Sequence, residues 1–525
     1  MCPAAVARAA FARAPFEQRD PRPPLAFLPL TLVALAFLAL QLSCLTRYGW
    51  FRDEFYYLAC ADHLAAGYVD QPPFSIWILS DWRALFGESL GALRVLPAIL
   101  GMITVFMTGA LARSLGGRRG AQVLAALAAA AAPVVIGSSH YVSMNSFDLL
   151  LWLLIFHSWV RVIRTGWTRE WIGLGAFVGI GLLNKISVLW LVAGLGVGFL
   201  LGREREMLKT RGPWIAALIA GALFAPHVAW QMANGWPTLE FMRNATGQKM
   251  VATPALEFWR KQLFAMSPAS VLIWVPGLLW LLFARDARRW RALGITFVVV
   301  AGILMAGGHS RASYLAPAYL ALFAAGGVAL ERTLRGRAAA LRWTIGALVV
   351  GMGVVLAPFA APVLAVDRFI AYAATLGRAP GTEERHRMGP LPQQYADMYG
   401  WPELTDVVAR AWASLTPEER PHAAIFGQNY GEAGAVLVLG RSRGLTPVLS
   451  GHNNFWLWPP DHEIRTVVII GGDEADNREF FARLDKFGEA DHPYAMPYER
   501  HMPVWIGRDP LVDLRKAWPK LKHFD

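Results

Sequence analysis

The chain has 525 residues, of which 55% are hydrophobic and 17% are charged. Its mean hydropathy of +0.36 is too high for an ordinary soluble enzyme and indicates a polytopic membrane protein. The formal net charge of +12 does not indicate nucleic-acid binding, because the Arg and Lys residues cluster in short stretches between apolar runs. We therefore expect membrane lipids, and no nucleic acid, as partners.

Eleven apolar runs approach the roughly 20 residues that a membrane-spanning helix requires. They lie near 25–46, 90–112, 120–137, 147–164, 171–184, 186–202, 213–232, 268–284, 292–307, 313–331 and 342–364. The first run follows an Arg- and Pro-rich tail, 1–24, without a convincing cleavage site, so we interpret it as an uncleaved anchor. The sequence thus predicts an all-α membrane domain over 25–364 with about eleven transmembrane helices.

The distribution of positive charge predicts the orientation of these helices. If the N-terminus is cytoplasmic, every second loop carries a cluster of Arg and Lys, at 113–119, 161–169, 203–211, 285–291 and 332–342. The loops between them are poorer in Lys and Arg for their length, as orientation by charge requires. We therefore expect a multi-pass inner-membrane protein with a cytoplasmic N-terminal tail. The first outer loop, 47–89, and the C-terminal segment then lie on the extracytoplasmic side.

The C-terminal segment, 365–525, is richer in charge and has no membrane-spanning run. HAAIFGQNY (422–430) and RTVVIIGG (465–472) predict buried strands, and MPVWIGR (502–508) predicts another. A helical pattern follows each of the first two strands, as GEAGAVLVLGRSRG and NREFFARLDKF. Strands that alternate with helices predict a small extracytoplasmic α/β domain with a partly parallel sheet.

The first outer loop carries the strongest functional signal. Asp53, Glu54, Asp62 and Asp70 follow closely after an apolar run. Carboxylates beside a membrane segment are costly unless they are solvated, paired or used. We predict that Asp53 and Glu54 are catalytic, and we interpret Asp62 as merely solvated.

Later outer loops supply further polar and charged candidates: His140, Asn145, Asp148, Lys185, Arg311 and Tyr314. Asp148 and Asn145 have two interpretations, because each could cap a helix or contact a substrate. Lys185 and Arg311 either bind an anion or only extend from a helix end towards water. The long loop 233–265 adds Arg243, Lys249, Arg260 and Lys261.

Carboxylates and cations on one side of the membrane suit an anionic, lipid-anchored substrate and a reaction that needs a base. The chain has no Walker A loop, no HExxH and no GxSxG motif. Its histidines form no i, i+4 ligand pair, and Cys2, Cys44 and Cys60 have no metal-binding spacing. We expect no required cofactor, and a divalent metal is left open.

Six blocks of sequence carry a family resemblance: RDEFYYLACADHLAAGYVDQPPFSIW, SHYVSMNSFDLLLW, GLLNKISVLW, SRASYLAPAYL, FGQNYGEAGAVLVLG and LSGHNNFWLW. On these blocks the chain resembles the polyprenyl-phosphate-sugar-dependent glycosyltransferases of family 39 in the GT-C superfamily. That group includes protein O-mannosyltransferases and bacterial aminoarabinose transferases that act on lipid A.

The resemblance implies an extracytoplasmic active site in which Asp53 is the base for the acceptor hydroxyl and Glu54 supports it. It also implies transfer of a sugar, with inversion, from a polyprenyl-phosphate donor to a lipid, glycan or protein. Arg311 matches a basic position that contacts the donor phosphate in relatives. The other candidate substrate contacts are Lys185, Asp70, Gln71, Asn145, Asp148, His140, Tyr57 and Tyr314.

Two departures from the aminoarabinose transferases point to a different branch. Gln71 stands where those enzymes carry a Lys before the Pro-Pro pair, and Asn145 stands where they carry an Asp. A transporter or flippase is an alternative, but it predicts internal symmetry and paired broken helices, and we find no such repeat. A non-catalytic scaffold is a third possibility. The sequence leaves the sugar, the polyprenol and the acceptor open.

Overall fold

The computed structural model describes residues 22–525, which form a helical part followed by a mixed α/β part. Residues 1–21 of the predicted cytoplasmic tail, with Cys2, lie outside this range. The helices of the first part are α1 Phe27–Ser43, α2 Arg52–Asp62, α3 Phe74–Phe86, α4 Leu90–Ser114, α5 Arg119–Ala130, α6 Pro133–Ser138, α7 Met144–Thr165, α8 Thr168–Asn184, α9 Val188–Leu201, α10 Gly212–Ala233, α11 Pro237–Asn244, α12 Ala255–Ala265, α13 Val271–Phe283, α14 Arg291–Gly307, α15 Ala316–Thr333 and α16 Ala339–Leu356.

Each of the eleven predicted apolar runs is largely helical, and the run 120–137 is divided between α5 and α6 just before Pro133. By length and composition, five of the described helices are suited to cross a membrane: Leu90–Ser114, Met144–Thr165, Gly212–Ala233, Arg288–Gly307 and Ala339–Phe359. The pair Ala255–Ala265 and Pro268–Phe283, bent by 95°, brings the number to six if it forms one span. Eleven crossings therefore remain a prediction.

The outer loop 47–89 is not irregular, because it contains α2 and α3. Glu54 at the third position of α2 accepts a hydrogen bond from the backbone N–H of Phe51, which precedes the helix, at 2.9 Å. This contact satisfies an N–H group that the start of a helix would otherwise leave unpaired. Asp53 occupies the second position of the same turn, where a negative charge is favoured by the helix dipole.

Small residues permit a close helix contact in the first part, between α13 and α15. A Cβ atom added to Gly326 would lie 2.0 Å from the carbonyl oxygen of Ile273, and one added to Gly277 would lie 2.3 Å from that of Leu322. Helices in lipid associate mainly by close van der Waals packing, which small residues permit. These two glycines therefore allow α13 and α15 to pack closely against each other.

Gly326→Ala is expected to destabilise the protein by about 1–3 kcal/mol, because the new methyl group must push two backbones apart. The apparent melting temperature in detergent, followed by intrinsic tryptophan fluorescence, measures this loss. Gly302→Ala in α14 is the matched control, since a Cβ at Gly302 meets no atom within 4 Å. Equal melting temperatures for the two variants would contradict the packing role of Gly326.

The second part contains helices α17 Val366–Thr375, α18 Gln393–Ala396, α19 Trp401–Ala413, α20 Tyr430–Leu439, α21 Glu474–Arg478 and α22 Leu514–Ala517. Its strands are β1 Ala423–Gly427, β2 Val448–Leu449, β3 Thr466–Ile470, β4 Phe481–Ala490 and β5 Met502–Pro510. They form one sheet in the order β2-β1-β3-β5-β4. β1 is parallel to β2 and β3, whereas β5 is antiparallel to β3 and β4.

The strands predicted at 422–430, 465–472 and 502–508 are present as β1, β3 and β5, and the helix predicted after the first of them is α20. The helix predicted over NREFFARLDKF is wrong, because most of that stretch belongs to β4. Within residues 22–525, β4 is an edge strand that pairs only with β5, and most of its side chains are exposed. Charged residues such as Arg483 and Lys486 are therefore tolerated at many positions, which obscures the alternation of a strand.

The α/β part packs on the first outer loop through α20. Gly434 faces Phe55 of α2 so closely that a Cβ atom would lie 2.9 Å from the Cβ of Phe55. Phe55 also meets the ring of Trp401 edge to face, with ring centroids 5.8 Å apart. This apolar contact brings the start of α20 beside the start of α2, where Tyr430 contacts Arg52 and Asp53.

Candidate active site

A cavity of about 570 Å³ lies between the first outer loop, α12 and the α/β part. Five of the candidates from the sequence line it: Asp53, Asn145, Arg260, Lys261 and Arg311. The other predicted site residues are not among its lining residues. The cavity thus joins the predicted base and the predicted phosphate-binding cation, which are far apart in the chain.

Asp53 is the accessible carboxylate of α2. Its side chain is 34% exposed, and its Oδ1 accepts a hydrogen bond from the hydroxyl of Tyr430 at 2.9 Å. The Nε of Arg52 lies 3.6 Å from the same oxygen. A carboxylate that is oriented by neighbours and still open to a cavity has the properties of a general base.

Glu54 points into the protein, where it makes an ion pair with Arg94 of α4. The guanidinium donates to both carboxylate oxygens, with Nε–Oε1 at 3.0 Å and Nη2–Oε2 at 2.8 Å. The backbone N–H groups of Phe51 and Val142 donate to the same carboxylate. We therefore correct the prediction that Glu54 is catalytic: its side chain is buried and positions α2 without facing the cavity.

Glu54→Gln is expected to destabilise the protein by about 3–5 kcal/mol, because Arg94 would remain buried without a counter-charge. Asp53→Asn should leave stability almost unchanged, since Asp53 is partly exposed. Melting temperatures of the two purified variants in the same detergent separate the roles. A Glu54→Gln protein as stable as Asp53→Asn would contradict the structural assignment of Glu54.

Lys185 contacts three of the other predicted residues. Its Nζ donates to Asn145 Oδ1 at 2.7 Å, lies 3.6 Å from Asp148 Oδ2, and lies 4.9 Å from the ring centroid of Tyr314. The cap of α7 is Ser143, whose hydroxyl accepts from the N–H of Asn145, so neither Asn145 nor Asp148 caps the helix. Lys185 is buried, which is inconsistent with a side chain that extends to water. It reaches the cavity only through Asn145.

Two further predicted residues, His140 and Tyr57, are buried and do not line the cavity. His140 is buried, with Nε2 3.5 Å from Arg94 Nη1. The hydroxyl of Tyr57 accepts a hydrogen bond from the N–H of Met144 at 2.9 Å. Both positions are corrections to the predicted substrate contacts, because these side chains hold the segment before α7 in place.

Asp70 and Gln71 follow α2 in the first outer loop and are not among the cavity lining residues. Asp70 Oδ1 accepts from the hydroxyl of Tyr56 at 2.7 Å, and burial raises the pKa of Asp70 to about 6. Gln71 is fully buried, and neither of its amide atoms has a hydrogen-bond partner among the described residues. Neither residue lines the cavity, so a substrate contact would require them to become accessible.

Arg311 faces the cavity but already has a partner. Its Nη2 donates to Glu384 Oε1 at 2.6 Å, and Gln393 donates to the other oxygen of Glu384 at 2.8 Å. Burial by itself raises the pKa of Glu384. The cations Lys249, Arg52 and Arg311 outweigh this effect and lower the pKa to about 2. Glu384 is therefore ionised at physiological pH and occupies the position on Arg311 that an anionic substrate group would need.

Several residues of the site were not identified from the sequence: Arg52, Arg94, Glu384, Asp397 and Tyr430. Asp397 lines the cavity, but its side chain is only 2% exposed, so it is a poorer candidate base than Asp53. Tyr430 lies 377 positions from Asp53, and no local spacing relates the two. The only signal was the block FGQNYGEAGAVLVLG, which carries the family resemblance.

Asp62, interpreted as merely solvated, is in fact paired. Arg83 Nη2 lies 2.7 Å from Asp62 Oδ1, and Arg441 Nη2 lies 2.6 Å from Oδ2. Arg441 follows α20, so this ion pair links the α/β part to the end of α2. Its side chains remain partly exposed, and a modest energy is expected from it.

His452, His523 and Asp525 form a possible metal-binding group, with one ligand atom of each within 4.8 Å of the others. His452 Nδ1 accepts from the N–H of Tyr430 at 3.3 Å, and its Nε2 lies 3.1 Å from the main-chain oxygen of Asp525. A metal-binding histidine normally donates its second ring N–H to an acceptor. Nδ1 of His452 instead faces a donor, the N–H of Tyr430, so the neutral ring carries its proton on Nε2. His452, His523 and Asp525 therefore do not fit a metal.

Comparison with protein families first indicates the class. Residues 70–230 match the family model described as dolichyl-phosphate-mannose-protein mannosyltransferase. Among curated proteins, the chain is 28% identical over 217 residues to the undecaprenyl phosphate-alpha-4-amino-4-deoxy-L-arabinose arabinosyl transferase of Pseudomonas savastanoi pv. phaseolicola, covering 40% of each chain. It is 24% identical over 212 residues to the lipopolysaccharide core galacturonosyltransferase RgtB of Rhizobium johnstonii, covering 40% of this chain and 42% of that protein.

Solved structures extend the similarity over most of the chain at the level of fold. ArnT from Cupriavidus metallidurans, in its apo state and bound to undecaprenyl phosphate, matches with a TM-score of 0.58 and 15% identity. The match covers 91% of this chain and 97% of ArnT. The arabinofuranosyltransferase AftD from Mycobacteria matches with a TM-score of 0.51 and 16% identity, over 92% of this chain and 40% of AftD.

These matches confirm the resemblance to polyprenyl-phosphate-sugar-dependent glycosyltransferases of the GT-C superfamily. The predicted fold class is confirmed in its coarse form, as a mostly helical chain with several apolar helices and a small sheet near the C-terminus. The chain spans about 40% of the length of the curated relatives it matches.

Proposed function

We propose that the chain is an integral membrane glycosyltransferase that moves a sugar from a polyprenyl-phosphate donor to a hydroxyl of an extracytoplasmic lipid, glycan or protein. The observation that carries this proposal is the cavity lined by both Asp53 and Arg311. A base and a cation in one cavity suit the two ends of the reaction, where a proton leaves the acceptor and negative charge develops on the phosphate.

The proposed reaction is a single displacement. Asp53 removes the proton of the acceptor hydroxyl while that oxygen attacks the anomeric carbon of the sugar. The bond between this carbon and the phosphate oxygen breaks, and its electron pair leaves with the polyprenyl phosphate. Attack from the face opposite the phosphate inverts the anomeric configuration. A sugar phosphate is already a good leaving group, so this reaction requires a base more than it requires a general acid.

Arg311 is the proposed contact of the donor phosphate. Its planar guanidinium can donate two hydrogen bonds to a phosphate, and it is exposed enough to do so at the cavity wall. The carboxylate of Glu384 must first give way at this position, so we propose that the phosphate exchanges with Glu384 on Arg311. Lys185 supports the site indirectly by holding Asn145 at the same cavity.

The names of the relatives support a lipid-linked donor. Curated relatives are named as transferases that use undecaprenyl phosphate-linked aminoarabinose, and ArnT has been solved with undecaprenyl phosphate. We propose an inner-membrane location, with the cavity on the extracytoplasmic side, because the Arg and Lys clusters of the sequence then lie in the cytoplasm. The sugar and acceptor of this chain are to be found by experiment.

Asp53→Asn is expected to lower donor consumption by ~10²–10⁴-fold, because the acceptor loses its base. The purified protein is incubated with polyprenyl phosphates that carry defined neutral, amino and uronic sugars, in the presence of lipid and oligosaccharide acceptors, and the remaining donor is measured by mass spectrometry. Asp81→Asn, which changes an exposed carboxylate of α3 outside the cavity, is the control.

Full activity of Asp53→Asn on a donor that the wild type consumes would contradict the role of Asp53. Failure of the wild type to consume any donor of the panel would contradict the proposed function itself.

Arg311→Ala is expected to raise the donor KM by ~10-fold or more, because a charge-assisted contact to the phosphate is lost and Glu384 is left without its partner. Donor titrations at saturating acceptor measure this effect. Arg243→Ala removes an exposed cation that does not line the cavity and should leave KM unchanged. A donor KM for Arg311→Ala equal to that of the wild type would rule out the phosphate contact.

A further inference from the structure

The α/β part supplies one residue that touches the proposed base. Tyr430 is the first residue of α20, and its hydroxyl donates to Asp53 Oδ1 at 2.9 Å. Burial raises the pKa of Tyr430 well above its usual value, so the hydroxyl is neutral and acts as a donor. The contact joins two segments that belong to different parts of the fold.

Tyr430 is held firmly in this position. Its ring packs against Tyr56 with centroids 4.9 Å apart, and the guanidinium of Arg52 lies 5.4 Å from its centroid. Its backbone N–H donates to His452 Nδ1 at 3.3 Å. The preceding residue, Asn429, caps α20 by accepting from the N–H groups at the start of the helix. The hydroxyl therefore has little freedom to turn away from Asp53.

A second segment of the α/β part fixes the same region of the first outer loop. Asn454 Oδ1 accepts from the N–H of Val69 at 2.7 Å, and the N–H of Asn454 donates to the hydroxyl of Tyr56 at 3.4 Å. That hydroxyl in turn donates to Asp70 at 2.7 Å. The blocks FGQNYGEAGAVLVLG and LSGHNNFWLW thus meet on α2 and the loop after it.

The hydrogen bond distinguishes the two oxygens of Asp53. Tyr430 and Arg52 both approach Oδ1, whereas Oδ2 accepts no hydrogen bond from residues 22–525. A carboxylate with one oxygen held by a donor cannot rotate freely and presents its other oxygen in one direction. Oδ2 is then the atom available to an acceptor hydroxyl in the cavity.

We infer that Tyr430 is a positioning residue for the base: it holds Asp53 by Oδ1, directs Oδ2 at the acceptor and makes the α/β part a component of the active site. The inference rests on the proposed function for the reaction that Asp53 performs. The hydrogen bond and its effect on the reactivity of Asp53 do not depend on that reaction. A domain that only covered the membrane part would show no effect of this single hydroxyl.

Tyr430→Phe is the test, and Tyr494→Phe is its matched control. Tyr494 belongs to the same α/β part and donates to Asp367 Oδ1 at 2.5 Å, but it is not among the residues that line the cavity. We expect Tyr430→Phe to lower kcat by ~10-fold at neutral pH, with the donor KM within about twofold of the wild type. The acid limb of the rate profile should move to higher pH, because the ionised carboxylate has lost a donor. Tyr494→Phe should change neither quantity.

A second readout is independent of transfer. A water-soluble carbodiimide with glycine ethyl ester modifies protonated carboxyl groups, and peptide mass spectrometry reports the modified fraction at Asp53. Tyr430→Phe should be modified faster than the wild type near neutral pH, and Tyr494→Phe should match the wild type. This readout remains informative if the wild type consumes no donor, so failure of the proposed function can be told apart from failure of the inference.

A size-matched pair of replacements covers the case in which Tyr430→Phe folds poorly. Para-aminophenylalanine at position 430 retains a donor and should restore most of the wild-type rate and modification behaviour. Para-methylphenylalanine has a similar size without a donor and should not. Wild-type kcat, pH profile and modification rate in Tyr430→Phe, or equal behaviour of the two replacements, would overturn the inference.

Discussion

The buried ion pair between Glu54 and Arg94 is the interaction on which the site depends. Removing two charges from water is costly, and the cost is offset only when the pair and its hydrogen bonds are complete. Arg94 binds both oxygens of Glu54, and two backbone N–H groups complete the carboxylate. Consecutive residues on a helix point in directions about 100° apart. Once Glu54 is held inward, its neighbour Asp53 is directed to the cavity.

Charge balance in the cavity follows from the same physical constraint. Arg52 lies 3.6 Å from both Asp53 and Asp397, and Arg311 is neutralised by Glu384. Buried cations need such partners until a substrate brings its own negative charge. In such a site an incoming anion replaces the carboxylate that pairs with the cation. The cation is therefore in place before the anion binds, without a large desolvation cost.

The sequence allowed much of the fold to be predicted, and failed where long-range pairing competes with local pattern. Apolar runs identified the helices, because a helix that crosses a bilayer needs about 20 consecutive and mostly apolar residues. β4 was mistaken for a helix because an edge strand exposes most of its side chains and shows no clear alternation. Glu54 and His140 were placed in the substrate site because nothing in their neighbours indicates Arg94, which follows Glu54 by 40 positions.

The sequence by itself determined the membrane class, the helical segments, the α/β nature of the C-terminal part and the candidate carboxylate at Asp53. These properties depend on composition, on periodicity and on a motif, all of which are local. The tertiary structure decided which of the two adjacent carboxylates faces the cavity, which cations are already paired, and that Tyr430 touches Asp53. Those outcomes depend on which distant segments pack together, and the energy of a buried charge or hydroxyl is set by partners that no local pattern specifies.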